Sequence, residues 1–409
     1  MKSRSLRARV SVLLTGHLGV VFLQAVQFLL LARILGVEEF GRVAAVSAMI
    51  TVAGPLSGFS YGNVMLMHVS RDLSTAPLFY GNAVFSTLSL GAVLVALLLL
   101  ISPFIGHSDV NLWLVFWMTT GELVAVRICM VSAQLYQATD KVRQTSLINI
   151  TASCCRLVAI TPLFWMARPS AETWAMTAAL LLTLLACTVF YFSVRHAGGF
   201  RTHWGTLWKD RSNAFHFTMS IFAKAAYTDV DKIFLGAFHS PTVLGAYSSA
   251  YRLVVMAYMP IRALLEGVAS RFFKVGAQGG QGTYALAKRL HKYTLPCGIV
   301  TGIGMYLFAP WLPWVLGESY RGAVVVLQTL CFLPPIQATH SVFSDALTGA
   351  GFQKLRTQLQ FIVLAIYVAL GWVLIPDHGW MGAAWTCLLS ESLLAVMVFT
   401  AAKIKSKTL

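Results

Sequence analysis

Charge is what this chain has least of. Of its 409 residues only 11% are Asp, Glu, Lys or Arg while 57% are hydrophobic, where a soluble domain carries roughly 25% charged residues. That balance excludes an ordinary water-soluble fold and leaves an all-α integral membrane protein. Acidic residues are the scarcer sign, 15 against 31 Lys and Arg. The seven cysteines show no CxxC pair and no His at ligand spacing. They therefore read as small apolar packing residues, with neither a disulfide framework nor a metal site expected. The Gly- and Gln-rich stretch 276–282 is not followed by Gly-Lys-Ser/Thr, which excludes a phosphate-binding loop, and no cofactor is expected. A formal net charge of +16 calls for no nucleic acid, because basic cytoplasmic loops and attraction to anionic membrane lipids account for it.

What the chain does have is apolar runs of about 20 residues, the length that crosses the hydrocarbon of a bilayer. Twelve transmembrane helices are expected, at 11–32, 43–65, 79–105, 112–137, 145–166, 173–194, 213–236, 243–267, 293–316, 322–350, 357–376 and 381–402. Six precede and six follow the break at 195–212, so two six-helix bundles, 1–194 and 213–409, are expected on either side of a cytoplasmic linker. Within the linker Trp204, Leu207 and Trp208 recur at helical spacing, which predicts a short helix on the inner membrane surface. With both termini cytoplasmic, 21 Lys and Arg fall inside and only Arg33, Arg42, Arg168 and Arg321 outside, as the positive-inside rule requires. The basic start before the first apolar run lacks a cleavage pattern, so that run is expected to be a retained helix.

The halves echo each other at a separation of about 200 residues, the kind of period that marks an internal repeat. Arg33-Ile34-Leu35-Gly36 with Phe40-Gly41 is answered by Lys232-Ile233-Phe234-Leu235-Gly236 with Leu244-Gly245, and Pro55 by Pro260. Leu135, Ala138, Lys141 and Arg143 match Leu347, Ala350, Lys354 and Arg356 at nearly the same offset. Proline removes a backbone donor and bends a helix, so Pro55 and Pro260 are candidate hinges, with static packing kinks as the alternative.

Charges placed within spans are the candidates for function, since each costs about 2.5–3.5 kcal/mol at the helix centre on insertion scales. Lys224 and Arg252 sit near the centres of the seventh and eighth spans, and Arg127, Arg156 and Glu122 in the fourth and fifth. Glu122 and Arg127, five residues apart, fall on different faces of one helix, and Glu122 is expected either to pair with Arg156 or to face a watery cavity. Asp229 either pairs with Lys224 or binds a coupling proton or cation such as sodium, a role open also to Glu122 and Glu391. Gln24 and Gln27 share one face of the first span and serve as interhelical glue or as cavity lining. Arg262 and Glu266, four apart, are expected to form a local pair.

The segment Leu31-Ala32-Arg33-Ile34-Leu35-Gly36-Val37-Glu38-Glu39-Phe40-Gly41 and its counterpart from Asp231 to Leu253 resemble the polysaccharide biosynthesis proteins, members of the multidrug/oligosaccharidyl-lipid/polysaccharide exporter superfamily. That resemblance implies two bundles facing each other around a central cavity in a bacterial inner membrane. It also implies that an undecaprenyl-pyrophosphate-linked glycan is flipped between leaflets. Pyrophosphate at membrane depth needs cations that stay charged, which favours Arg252 first and Lys224 second as substrate contacts, with Arg127 and Arg156 further candidates. A cation-coupled multidrug antiporter would share the fold but favour an acidic cavity. A membrane glycan polymerase or ligase would be expected to carry a sizeable external loop, which this chain lacks.

Overall fold

A computed structural model describes residues 2–105, 111–276 and 280–406; the side chains at 2–15, 104, 105, 220, 224, 269 and 270, Lys224 among them, lie outside the described residues, as does 277–279 of the Gly- and Gln-rich stretch. The elements are α1 (Lys2–Ala53), α2 (Tyr61–Val69), α3 (Ala76–Ile105), α4 (Leu112–Thr119), α5 (Val126–Ala138), α6 (Val142–Val158), α7 (Ala171–Ala197), α8 (Trp204–Phe238), α9 (Pro241–Gly276), α10 (Gly280–Phe308), α11 (Leu312–Leu316), α12 (Ala323–Leu330), α13 (Leu333–Gly349) and α14 (Gln353–Lys405). There is no strand among the described residues. Eight helical stretches are long and apolar enough to cross a membrane, so the chain is an all-α multi-pass membrane protein. Large apolar side chains also face outward, as Trp165, Leu100, Val300 and Trp314 do, a surface that lipid accepts and water does not.

Two of the long helices are broken by glycine. Gly36 in α1 has φ 75° and Gly379 in α14 has φ 55°, values that glycine adopts without the penalty a Cβ brings. At the second break the Ile375 carbonyl loses its helical partner, and His239 Nε2 lies 2.7 Å from it as the replacement donor. Other ends are capped by side chains. Ser170 accepts from the Thr173 amide at 3.3 Å to start α7, and Gly198, with φ 81°, closes it.

The chain divides into two compact units, Met1–Leu35 with Arg42–Asp229, and Gly36–Gly41 with Val230–Leu409. In the first, Val46, Met49, Leu114, Val115, Ile160 and Trp174 form part of one buried apolar cluster. In the second, Val326, Leu327, Val342, Val363 and Val398 are buried. The second unit also holds the matched glycines of the repeat. A Cβ on Gly41 would run into the Pro241 carbonyl and one on Gly245 into the Val37 carbonyl, and each would come within 3.1 Å of the other glycine's amide nitrogen.

Two expectations change. Trp204, Leu207 and Trp208 do not form a short separate helix but open the 35-residue α8, which no proline interrupts. Pro55 lies in a 3-10 turn, Gly54–Leu56, after which the chain leaves helix until Tyr61, so the run expected at 43–65 is interrupted. Pro260, its counterpart, stays inside the continuous α9. Pro334 and Pro335 stand in the first turn of α13, where a missing N–H is harmless.

Candidate functional site

In the first unit the charges gather where α4 passes into α5. Six residues, Thr120–Ala125, wind as a π-helix there, a distortion that often marks functional positions. Glu122 lies in this wide turn, and Arg156 of α6 grips it at both oxygens, Nε to Oε1 at 2.7 Å and Nη2 to Oε2 at 2.9 Å. The Ser57 hydroxyl donates to the Leu123 carbonyl in the same turn, tying it to the break after Pro55. Arg127, a little further along, is half-buried against Gly54, where any Cβ would overlap its guanidinium. Gln27 is buried and Gln24 half-buried on α1.

In the second unit Asp231 is fully buried and Lys232 is 7% exposed. Tyr247 donates its hydroxyl to Asp231 Oδ2, while the Lys232 amide and Nζ reach Oδ1 at 2.9 and 3.3 Å. The Lys232 ammonium also lies 3.9 Å from the centre of the Tyr251 ring. Every member is satisfied, which is the condition for holding a carboxylate in a dry interior.

A second carboxylate of this unit has a weaker hold. Glu391 on α14 is 5% exposed and its Oε2 lies 2.9 Å from His340 Nδ1 on α13, yet the two do not meet the geometry of a hydrogen bond. Nearby, the Tyr258 hydroxyl of α9 donates to Ser341 at 3.1 Å, and Asp345 of α13 is half-buried. A carboxylate facing an imidazole can pass a proton between neutral and charged states, where one facing a guanidinium stays ionised.

The candidates from the sequence therefore separate. Glu122 and Arg156 come together, and Arg262 Nε meets Glu266 Oε1 at 3.0 Å on an exposed face. Arg252 is exposed on α9 and is held by polar or electrostatic contact rather than left free, as is the half-buried Asp229 of α8. Pro55 is buried and Pro260 exposed. Asp231, Tyr247 and His340 were not singled out as site residues. Asp231 and Tyr247 stand sixteen apart in the repeat motif, a spacing with no one-helix meaning, and a lone histidine gives no sign of its partner. Among the described residues no group of His, Cys, Asp and Glu could hold a metal ion, and all seven cysteines are free.

The sequence model of the polysaccharide biosynthesis protein family matches residues 6–269. None of the curated proteins matches the chain. Among solved structures, the chain is similar to an inward-facing multidrug resistance transporter of the MATE family, MOP superfamily, at 13% identity and TM-score 0.76, covering 95% of this chain and 94% of that one. It is equally similar to the lipid II flippase MurJ in an inward closed conformation, at 13% identity and TM-score 0.76 over 96% of this chain and 88% of that one. A third is a MOP-superfamily transporter from Pyrococcus furiosus with a binding pocket of reversed polarity, at 14% identity and TM-score 0.65 over 97% and 96%. At these identities the likeness is one of fold, that of the MOP-superfamily transporters, and it does not choose between drug and lipid.

Proposed function

This chain belongs to the polysaccharide biosynthesis protein family, and from that membership we propose that it flips a lipid-linked oligosaccharide, on undecaprenyl pyrophosphate or a like carrier, across a bacterial inner membrane by alternating access. It is a transporter and not an enzyme. The observation that carries the substrate reading is Arg252, exposed on α9 about 17 Å from the helix start at 1.5 Å per residue. A guanidinium at that depth stays charged and offers a fork of donors to a phosphate. Lys224, Arg127 and Arg156 are further cations for the same substrate, with Gln24 and Gln27 as polar lining. Glu391, with His340, is the preferred coupling site for a proton or cation, and Asp229 and Glu122 are the alternatives. Pro55 and Pro260 are the proposed hinges.

The proposed architecture is twelve transmembrane helices, in bundles 1–194 and 213–409 joined by 195–212, with both termini cytoplasmic. Dividing α1 at Gly36 and α14 at Gly379 turns the eight apolar stretches into ten. The charged α8 and α9, 35 and 36 residues long, supply the other two. The reciprocal contact of Gly41 and Gly245 supports the internal repeat.

The test is complementation of a strain that needs this gene for its surface glycan. Arg252→Lys keeps the charge but loses the fork and should be partly active, and Arg252→Ala should be inactive at normal expression. Full glycan export by Arg252→Ala would move the anchor to Lys224, Arg127 or Arg156. Drug resistance without glycan export would instead assign the multidrug reading.

A further inference from the structure

Within the first unit a cavity of 830 Å3 opens between the α2 and α3 pair and the first turns of α8, at the upper part of the roughly 300–1,000 Å3 range of ligand pockets. It contains none of the charged groups of the candidate site. Phe59, Tyr61, Phe85 and Leu90 form one wall and Trp208 and Phe215 the other, with Lys209 and Arg211 exposed at the rim. The walls are fixed in place. The Tyr61 hydroxyl donates to the Leu207 carbonyl at 2.7 Å, and the Phe59 and Phe215 rings stand 6.3 Å apart. Phe59 and Ser60 have φ of 46° and 51°, a left-handed conformation that L residues seldom hold and that clusters at ligand clamps.

Depth and charge identify the occupant. The lining runs along α8 from Trp204 to Phe215, about 17 Å at 1.5 Å per residue, and one leaflet's share of the hydrocarbon is about 15 Å. The groove is thus one leaflet deep, long enough for an acyl chain and too short for a polyprenyl tail. Lys209 and Arg211 at its rim follow Arg195 and Arg201 in the sequence, a basic stretch of the kind that gathers on the cytoplasmic side, where anionic lipids concentrate. Arg211 stacks on Trp208 at 4.3 Å and gives one donor to the Trp208 carbonyl at 2.9 Å, which orients the guanidinium and leaves further donors for a phosphate. Trp204 and Trp208 stand exposed at the same level, where indoles favour the headgroup region.

We propose that this groove binds an anionic phospholipid of the inner leaflet, with one acyl chain between α2, α3 and α8 and the phosphate on Lys209 and Arg211. The site is independent of what the protein transports, so it stands or falls by binding alone. Delipidated full-length protein would be titrated with phosphatidylglycerol, with phosphatidylcholine of the same chains and with a polyprenyl phosphate, and bound lipid counted by native mass spectrometry. One phosphatidylglycerol should be retained in preference to both others. Its affinity should fall at least tenfold in the Lys209→Gln/Arg211→Gln double variant, and also in Ser89→Trp, which fills the groove without changing charge, while Arg143→Gln, a basic residue elsewhere in the unit, should bind as the parent does. Each variant would first be checked for a monodisperse elution profile, and two independent variants keep the test open if one misfolds. Equal retention of phosphatidylcholine, preference for the polyprenyl phosphate, unchanged binding in the folded groove variants, or an equal loss in Arg143→Gln would overturn the assignment.

Discussion

The two units hold buried carboxylates in opposite ways. Glu122 in the first is clamped at both oxygens by a guanidinium, whereas Glu391 in the second faces only an imidazole nitrogen at 2.9 Å. Arginine keeps its proton throughout the physiological range, so the first pair is a fixed charge pair. Histidine is the side chain whose charge changes most readily near neutral pH, which is why the second pair is the one proposed for coupling. The groups around that second pair include Tyr258 on α9, Asp345 on its own α13 and Cys387 on α14. The second unit also contains the counter-example, Asp231, both of whose oxygens accept hydrogen bonds. Burial alone therefore does not distinguish these carboxylates; their partners do.

The largest effect expected is from Asp231→Ala. It leaves Lys232 buried without its carboxylate, and breaking a buried pair from one side costs about 3–5 kcal/mol. Recovery of folded protein, followed by detergent size-exclusion and thermal unfolding, should fall sharply, and near-normal yield would remove the network from the scaffold. Next come the two glutamates. Glu391→Gln should abolish transport while the protein still reaches the membrane, and His340→Arg should do the same by giving the second unit the fixed pair of the first. Full transport by both would end the distinction drawn here.

Apolar double replacement separates the pairs further. Replacing a buried ion pair with well-packed apolar residues is often neutral or stabilising by about 1–4 kcal/mol. Glu122→Leu with Arg156→Leu is therefore expected to preserve folding and to lower transport less than Glu391→Leu with His340→Leu, which should preserve folding alone. The comparison is a glycan-export assay on each double variant at matched expression.

The smallest effect belongs to an exposed turn outside both pairs. Hydrogen bonds from the Ser74 hydroxyl and amide hold the Asp72 carboxyl below its ordinary value. A carboxyl lowered in the folded state adds stability above its unfolded pKa, and that stability is lost as pH falls through the folded pKa. Asp72→Ala should thus lower the unfolding temperature slightly at neutral pH and not at all in acid, where the parent has lost the same contribution. An effect that persists in acid would point to the turn geometry instead.

Much of this was legible in the sequence, for reasons that can be named. Scarce charge and repeated apolar runs announce a membrane protein, and the Arg262 and Glu266 pair follows from helical spacing alone. Proline placement was less legible. Pro55 and Pro260 occupy matched positions, yet only the first follows a glycine and breaks its helix. Partners across helices were least legible. A helix in lipid is apolar on its outward face as well as its inward one, so the sequence lacks the polar stripe that orients a helix in water. For that reason His340 and Glu391 are visible as residues but not as neighbours, and the length of α8 hides behind its aromatic and basic start.

Gly41 and Gly245 each stand where the other's backbone must pass. The two thereby become each other's environment, the relation that an isologous contact imposes on a symmetric dimer. Enlarging one of them cannot be relieved by shrinking the other, since neither has a side chain to give up, and the same crossing forbids both changes. Had the repeat arisen by joining two copies of one ancestral chain, this crossing would have been a face that recognised itself, and the tandem chain would preserve it as an inherited seam.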